Sequence, residues 1–235
     1  MRIDIATLFP AVCEAYLGES MLKRAREGGY LTTQCWDIRD YTLDKHRRVD
    51  DDPYGGGRGL VMQPDPIYRC YEAIVAQTCP DGTLPHRIYM SPKGTVLTQK
   101  RAEELSKLPH LFILCGHYEG VDQRVLDEII DEEISIGDYV LTGGELPALA
   151  LTDAIARMIP GVLPEAVCFE EESHYAGLLE YPQYTRPAVW HDKEVPEVLL
   201  SGNHKDIETW RMEESLALTE ANRPDMYLRY MHKDM

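Results

Sequence analysis

The sequence predicts an α/β fold with a mostly parallel sheet and helices on both of its faces. Three observations support this class. Short apolar segments alternate with segments of helical spacing up to residue 158, and several glycines follow the apolar segments directly. The length of 235 residues suits one large domain, or one domain with a smaller one. Strands that alternate with helices are typical of parallel sheets.

The elements follow one another along the chain. A strand that opens at Ile3 stops at Pro10, and residues 11–28 form a helix that ends at two glycines. The same patterns predict strands at 32–38, 87–90, 111–115 and 133–140, and helices at 65–78, 98–107, 122–130, 144–158 and 205–221. We therefore expect a domain at 1–160, a linker at 161–188 and a small helical domain at 189–235.

Composition excludes several classes of protein. With 44% hydrophobic and 27% charged residues the chain should form a soluble globule. No apolar run approaches the roughly 18 residues of a membrane helix, and the N-terminus lacks the features of a signal peptide. The six cysteines are scattered without C-x-x-C spacing. This pattern argues against a zinc site or a disulfide framework, and favours reduced thiols in the cytoplasm.

The net charge of −16 argues at first against a nucleic-acid partner. Its distribution weakens that objection, because residues 100–180 alone hold 17 acidic and 5 basic side chains. The rest of the chain is nearly balanced and contains the basic run at 45–48. The charge distribution is therefore compatible with a local basic face on an acidic protein.

Glycines collect where predicted strands end. Such residues tolerate positive φ and let a ligand or another backbone approach closely, and ligands of parallel sheets bind beyond the carboxyl ends of the strands. The cluster predicts a pocket built mainly from main chain, with ordinary turns as the alternative for each glycine alone. Its members are Gly116, Gly120, Gly137, Gly143 and Gly144.

A glycine-rich loop at 50–59 interrupts the alternation. It lacks the Gly-Lys-Ser/Thr of a phosphate-binding loop, and Leu60 stands where a dinucleotide fingerprint needs glycine. Long loops in compact domains tend to be functional or disordered. With Asp51, Tyr54 and Arg58 around it, the loop suits a lid over a flat or anionic ligand, and a structural turn is equally compatible.

Two further groups of charged residues are candidates for chemistry. Asp153 and Arg157 share one face of a largely apolar predicted helix, so Arg157 is either a surface ion-pair partner of Asp153 or a guanidinium aimed into a cleft. The acidic run at 170–172 is either a solvated face or the source of a general base. The dispersed histidines predict no metal site.

Seven motifs, in order along essentially the whole chain, resemble the bacterial tRNA (guanine-N1-)-methyltransferase family. They are DDPYGGGRG at 51–59, YMSP at 89–92, LCGHYEGVD at 114–122, SIGDYVLTGGELP at 135–147, IPGVL at 159–163, YTRP at 184–187 and LSGNH at 200–204. The resemblance implies methylation of N1 of the guanine at position 37 of tRNA by S-adenosyl-L-methionine. It also implies a SPOUT-class fold with a deep trefoil knot, and a homodimer with active sites at the interface.

The resemblance carries over to individual positions. It implies cofactor contacts from Tyr89, Met90, Ser91, Pro92, Gly116, Tyr118, Glu119, Ile136, Gly137, Tyr139, Leu141, Gly143, Gly144 and Glu180. Substrate contacts are expected from Asp51, Tyr54, Gly55, Gly56, Gly57, Arg58, Arg186, Ser201, Gly202, Asn203 and His204. Arg157 would neutralise charge on O6 of the base. Mg²⁺ is associated with the family, but the sequence shows no dedicated ligands for it.

The general base departs from the family pattern. Glu172 stands where the family has aspartate, and its extra methylene shifts the carboxylate by roughly 1 Å unless the backbone adjusts. We expect Glu172 to be the base, with Glu171 next in line. Glu180, Arg58 and His117 also replace residues more frequent in the family. Two alternatives stay open: methylation of another RNA nucleoside, and a catalytically silent RNA-binding homologue.

Overall fold

A computed structural model of the chain describes residues 1–163 and 172–232. The chain forms two compact units, Met1–Pro164 and Glu165–Met235. The division into three parts at residues 160 and 188 stays a prediction. Among the described residues, no helix has both the length and the apolar character needed to cross a bilayer.

The first unit is built on a five-stranded sheet in the order β2-β1-β6-β5-β7, with every neighbouring pair parallel. This arrangement confirms the predicted α/β class. The strands of this unit are β1 Arg2–Thr7, β2 Thr32–Asp37, β3 Asp50–Asp51, β4 Val61–Met62, β5 His86–Val96, β6 His110–Cys115 and β7 Glu132–Ser135. The short strands β3 and β4 form a separate antiparallel pair that closes the base of the glycine-rich loop.

Six helices accompany the sheet in the described part of this unit: α1 Pro10–Leu17, α2 Ser20–Glu27, α3 Pro64–Thr78, α4 Gln99–Ser106, α5 Gln123–Ile129 and α6 Glu145–Ala156. A short 3-10 helix spans Ile38–Tyr41. The prediction of one helix at 11–28 was wrong. The chain turns between α1 and α2 because Gly18 caps the first helix and Ser20 has φ 49°.

The central strand β6 shows how the two faces of the sheet are covered. Phe112 and Leu114 belong to the core that includes residues of α3 and α5. Leu111 and Ile113 are equally inaccessible to solvent and alternate onto the opposite face. Full burial of each such side chain stabilises the folded state by roughly 1.5–3 kcal/mol relative to leaving it exposed. Burial on both faces explains why β6 reads as a continuous apolar run rather than an alternating one.

Strand β5 is longer than the predicted 87–90 and bulges midway. Met90 and Thr95 both pair with Ile134, so the segment between them loops out of register. Gly94 lies in this segment, and a Cβ there would lie 2.5 Å from the backbone nitrogen of Ile134. The predicted strand 133–140 ends early, at Ser135, because Gly137 has φ 147° and starts a turn.

Asp4 lies fully buried in β1 and accepts several hydrogen bonds. Arg2 donates at 2.7 and 2.8 Å, the indole of Trp36 at 2.8 Å, and Nε2 of His110 lies 2.7 Å away. Burial raises the pKa of Asp4, but the hydrogen bonds from His110, Arg2 and Trp36 together outweigh it and leave the pKa below its ordinary value. The carboxylate is therefore charged in the folded protein.

The Asp4→Asn variant should lower the free energy of unfolding by about 3–5 kcal/mol, the usual cost of breaking a buried ion pair. Because the folded-state pKa of Asp4 is depressed, its contribution is present at neutral pH and is lost as pH falls below about 4. Urea unfolding at pH 7 and pH 3 measures both effects. Asp40→Asn, which removes an exposed partner of Arg47, is the control and should change little. Equal stability of wild type and Asp4→Asn at pH 7 would contradict this account.

The second unit contains a two-stranded hairpin and helices. Its described elements are β8 Val189–Trp190, β9 Lys193–Glu194, α7 Glu197–Leu200, α8 His204–Asn222 and α9 Pro224–Met231. Helix α8 matches the predicted helix at 205–221 within a residue at each end. The hairpin was not predicted. Both residues of its turn, His191 and Asp192, have positive φ. Glycine and asparagine are more usual at such positions, so the residue types gave no signal of the turn.

Candidate active site

A cavity of about 260 Å³ lies beyond the carboxyl ends of β6 and β7 and beside the bulge of β5. Twelve residues expected at the cofactor line it: Tyr89, Met90, Ser91, Pro92, Gly116, Tyr118, Glu119, Ile136, Tyr139, Leu141, Gly143 and Gly144. They come from three stretches of chain that the parallel sheet brings to one edge. That these residues bind a cofactor stays a prediction, but their convergence follows from the fold.

One expected cofactor residue of the first unit does not line this cavity. Gly137 lies beside it, where its carbonyl accepts a hydrogen bond from Ser135 Oγ at 3.0 Å. Glu180 belongs to the second unit.

The cavity also has walls that were not predicted, among them Val61, Lys93, His117, Gln123, Leu126, Glu133 and Pro147. Glycines after apolar segments indicate a pocket in the sequence. These other side chains reach the pocket through tertiary packing, for which the sequence has no local signal.

The close approach of α6 to β6 shapes one side of the cavity. The backbone N–H of Gly144 donates to the carbonyl of Gly116 at 2.8 Å, just before α6 begins. A Cβ on Gly144 would lie 2.8 Å from Cα of Cys115 and 3.0 Å from the nitrogen of Gly116. Since both neighbours are backbone atoms, neither can rotate away. The φ of Gly144 is an ordinary −83°, which any residue can adopt. Glycine is therefore required here by lack of space and not by backbone conformation.

The Gly144→Ala variant should push α6 away from β6, weaken ligand binding in the cavity about tenfold or more, and cost about 1–3 kcal/mol of stability through overpacking. Calorimetric titration with S-adenosyl-L-methionine and thermal unfolding measure the two effects. Gly18→Ala is the matched control, since Gly18 also has a negative φ but lies between two helices outside the cavity. Wild-type affinity in Gly144→Ala would show that the separation of α6 and β6 does not matter to the ligand.

Tyr89 supplies a buried hydroxyl to the cavity wall. Burial, then the nearby charges of Glu133 and Cys115, raises the pKa of Tyr89 to about 12. The phenol therefore keeps its proton at neutral pH and remains a hydrogen-bond donor. A Cβ on Gly116 would lie 2.6 Å from this hydroxyl, so the glycine gives the ring its space.

The glycine-rich loop is joined to the cavity wall at its base. The N–H of Glu119 donates to the carbonyl of Leu60 at 3.0 Å, and the N–H of Met62 donates to Gly120 at 2.9 Å. Gly59 has φ 83°, and a Cβ there would lie 2.5 Å from the side chain of Glu119. Gly55, Gly56 and Gly57 also have positive φ. At the tip, Tyr54 is 99% exposed, so the loop offers bare backbone and one aromatic ring to solvent.

Arg157 follows the last residue of α6 and is half-buried. Whether Arg157 is an ion-pair partner of Asp153 or a guanidinium aimed into a cleft stays a prediction. Asp153 Oδ2 accepts a hydrogen bond from the hydroxyl of Tyr16 at 2.6 Å. The carboxylate is engaged across the contact between α1 and α6, which sequence spacing along α6 alone could not show.

Several expected residues lie in the second unit. Glu172 is half-buried and Arg186 is exposed; Glu171 lies outside the described residues. Glu180 donates its N–H to Ser173 Oγ at 2.9 Å, and its carboxylate accepts from Gln183 at 2.6 Å. The segment 201–204 is exposed and leads into α8, with the Asn203 amide 2.7 Å from Asp206. Across the described ranges, no group of three or more potential ligands forms a metal site.

A parallel α/β sheet with a glycine-walled cavity beyond its carboxyl edge defines a ligand-binding α/β protein. The chain belongs to the tRNA (Guanine-1)-methyltransferase TrmD family, whose sequence profile matches residues 1–229.

Relatives named tRNA (guanine-N(1)-)-methyltransferase include that of Ruminiclostridium cellulolyticum, 53% identical over the full length of both chains. The relative from Alkaliphilus oremlandii is 56% identical over 96% of this chain and 92% of its own. The relative from Clostridioides difficile is 51% identical over 99% and 100%.

Proposed function

We propose that the protein transfers a methyl group from S-adenosyl-L-methionine to N1 of the guanine at position 37 of tRNA. The observation that carries this proposal is the convergence of twelve motif residues on one cavity in a member of this family. S-Adenosyl-L-methionine supplies an electrophilic methyl group on a sulfonium. The reaction therefore needs no metal in principle to polarise the substrate.

The cavity fits this cofactor in chemistry. Apolar side chains such as Leu126, Leu141 and Pro147 suit the faces of an adenine ring, and the surrounding loops offer peptide groups for its edge. Glu119 and Glu133 both line the cavity, and their carboxylates suit a ligand that carries cationic groups. Tyr89 contributes a donor that stays protonated.

The substrate base sets two demands on the protein. N1 of guanine carries a proton and becomes nucleophilic only when that proton leaves. Negative charge then develops on O6 and needs a cation. We assign proton removal to Glu172 and stabilisation of O6 to Arg157. A general base of this kind contributes about 10²–10⁴-fold to a rate, and one group that stabilises developing charge about 10²–10³-fold. Loss of the carboxylate should therefore lower the rate at least as much as loss of the cation.

Binding of tRNA is assigned to the glycine-rich loop and the second unit. Tyr54 suits stacking on an exposed base, which is a common contact in RNA recognition, and Asp51 and Arg58 flank the bare backbone of Gly55, Gly56 and Gly57. In the second unit, Arg186 and the segment 201–204 are exposed and available to the RNA. The small helical domain would grip the tRNA stem, and the reaction would take place in the cytoplasm.

The proposal includes a homodimer and a trefoil knot of the SPOUT class. Apolar side chains on α1 and near the start of α6 are exposed in the single chain, including Val12 at 51%, Leu146 at 60% and Val140 at 80%. Large exposed apolar side chains of this kind are available to a protein partner, and a second copy is the partner that the family implies. Sedimentation equilibrium should give twice the chain mass; a monomer at micromolar concentration would refute this part.

Methyl transfer from radiolabelled cofactor to unmodified tRNA transcripts tests the reaction. A transcript with guanine at position 37 should accept label, and one with adenine there should not. Digestion of the product should yield N1-methylguanosine. Label at another nucleoside would support a different RNA target. Cofactor binding without transfer would support a catalytically silent RNA-binding protein.

A further inference from the structure

A cysteine, a histidine and an aspartate form a cluster near the amino ends of the central strands, at the opposite edge of the sheet from the cavity. Cys79 follows α3, His110 opens β6 and Asp4 lies in β1. Nδ1 of His110 lies 3.7 Å from Sγ of Cys79, and Nε2 of the same ring lies 2.7 Å from Oδ2 of Asp4. A histidine held between a thiol and a carboxylate is the arrangement in which an imidazole acts as base for a nucleophile.

Asp4 determines which imidazole nitrogen presents a lone pair to the thiol. Its carboxylate is charged and can only accept hydrogen bonds, so Nε2 of His110 donates to it. In the neutral ring Nδ1 then carries the lone pair and can accept the S–H of Cys79. The pairing of β1 with β6 fixes the backbone of both ring partners. The base is therefore oriented by the fold.

A second polar group near the sulfur does not replace this base. The hydroxyl of Thr78 lies 3.5 Å from Sγ of Cys79, but its proton goes to the carbonyl of Ile74 at 2.7 Å. A hydroxyl oxygen is a far weaker base than an imidazole. The carboxyl end of α3 also disfavours negative charge on the sulfur, so removal of the thiol proton depends on His110.

The other cysteines of the described chain are placed less favourably for reaction. Cys79 keeps 8% of its surface exposed, whereas Cys13, Cys70 and Cys115 have none. Burial raises the pKa of Cys70 and of Cys115. Cys35 is more exposed, but its hydrogen bond with Cys13 is the main cause of a raised pKa. Reactive cysteines combine some exposure with a nearby base, and Cys79 has both.

We propose that Cys79 is a modification site for low-molecular-weight disulfides, with His110 as general base and Asp4 as the group that orients the ring. Nδ1 of His110 takes the S–H proton as Sγ attacks one sulfur of the disulfide. A new S–S bond forms while the old one breaks, and the electron pair leaves with the second sulfur. That sulfur takes the proton from His110. The products are a mixed disulfide on the protein and one free small thiol.

The reagent reaches the sulfur from the turn that follows α3. Residues 80–84 are all exposed, and the N–H of Gly82 closes the turn on the carbonyl of Cys79 at 3.0 Å. The site goes beyond the proposed methyl transfer and does not depend on it, because the cavity lies at the other edge of the sheet.

Bis(2-hydroxyethyl) disulfide, a small neutral reagent, tests the proposal on the folded full-length protein. Mass spectrometry of peptides, after timed exposure and blocking of the remaining thiols, gives the rate at each cysteine. Cys79 should react before Cys35 and before the three fully buried cysteines. Cys168 lies outside the described residues and enters no comparison. This measurement on wild type needs no variant.

The His110→Gln variant tests the role of the base. The glutamine amide can still donate to Asp4 but takes no proton, so the rate at Cys79 should fall about 10²-fold, the low end of the contribution of a general base. His86→Gln is the matched control and should leave this rate unchanged. His86 opens β5 at the same edge of the sheet, and its ring lies 2.6 Å from Glu132. Thermal unfolding checks that both variants are folded.

Three results would each overturn the proposal. Equal rates at Cys79 and Cys70 in wild type would mean that both react only when the protein unfolds. Reaction at Cys35 ahead of Cys79 would mean that exposure decides the order. An unchanged rate at Cys79 in folded His110→Gln would mean that the histidine takes no part. Should His110→Gln not fold, the order of rates in wild type decides.

Discussion

In the Glu172→Gln variant we expect kcat for methylation of guanine 37 to fall about 10²–10⁴-fold, the range for loss of a general base. Glutamine has nearly the shape of glutamate but cannot take the N1 proton. Affinity for the cofactor should stay near that of wild type. Single-turnover methyl transfer measures the loss, and thermal unfolding of the variant checks that it is folded.

Two companion variants make this result specific. Glu171→Gln removes the neighbouring carboxylate and should remain close to wild type. Glu172→Asp restores the residue that the family has at this position and should retain activity within about tenfold, because a shift of about 1 Å matters to a positioned group. Near-normal turnover in Glu172→Gln, together with a collapse in Glu171→Gln, would move the base to Glu171.

Replacing Arg157 with alanine should lower kcat about 10²–10³-fold, the usual cost of losing one group that stabilises developing negative charge. Arg157→Lys should recover only part of this loss, because lysine is a compact charge without the planar fork of donors. Added guanidinium should partly rescue the alanine variant but not Glu172→Gln. Rates with saturating cofactor and tRNA separate the loss in kcat from a loss in binding.

Arg26→Ala is the matched control for Arg157. Arg26 lies in α2, in the same unit as Arg157, and pairs with Glu14. Its removal should leave kcat unchanged. If Arg157→Ala raised KM for tRNA and left kcat unchanged, Arg157 would act in binding alone, and the assignment to O6 would be wrong.

The sequence predicted most of the first unit because its signals are local. The apolar run of β6 and the spacing of α3 identified these elements within about two residues. Strand β7 was predicted too long, since Tyr139 to Leu141 are apolar residues of a loop that begins at Gly137. The helix at 11–28 was predicted as one because an isolated glycine inside a helical pattern is tolerated, whereas here Gly18 caps α1 and Ser20 adopts positive φ.

The residue pattern alone predicted the candidate site where glycines mark it, and the resemblance to the family supplied the other expected residues. Gly116 directly follows β6 and leaves space for the ring of Tyr89, and Gly144 directly precedes α6 and leaves space for the backbone of Cys115. Lys93, His117 and Glu133 reach the cavity as side chains of loops and strands whose direction depends on tertiary packing. The contact between Tyr16 and Asp153 joins α1 to α6, and no pattern within either helix encodes it.

Calorimetric titration of the protein with S-adenosyl-L-methionine tests the central claim most directly, because the cavity must bind this molecule before any residue can act on RNA. We expect one cofactor per cavity, with binding weakened in Gly144→Ala and unchanged in Gly18→Ala. The absence of any binding heat across a range of temperatures would contradict the account, and so would equal affinity in wild type and Gly144→Ala.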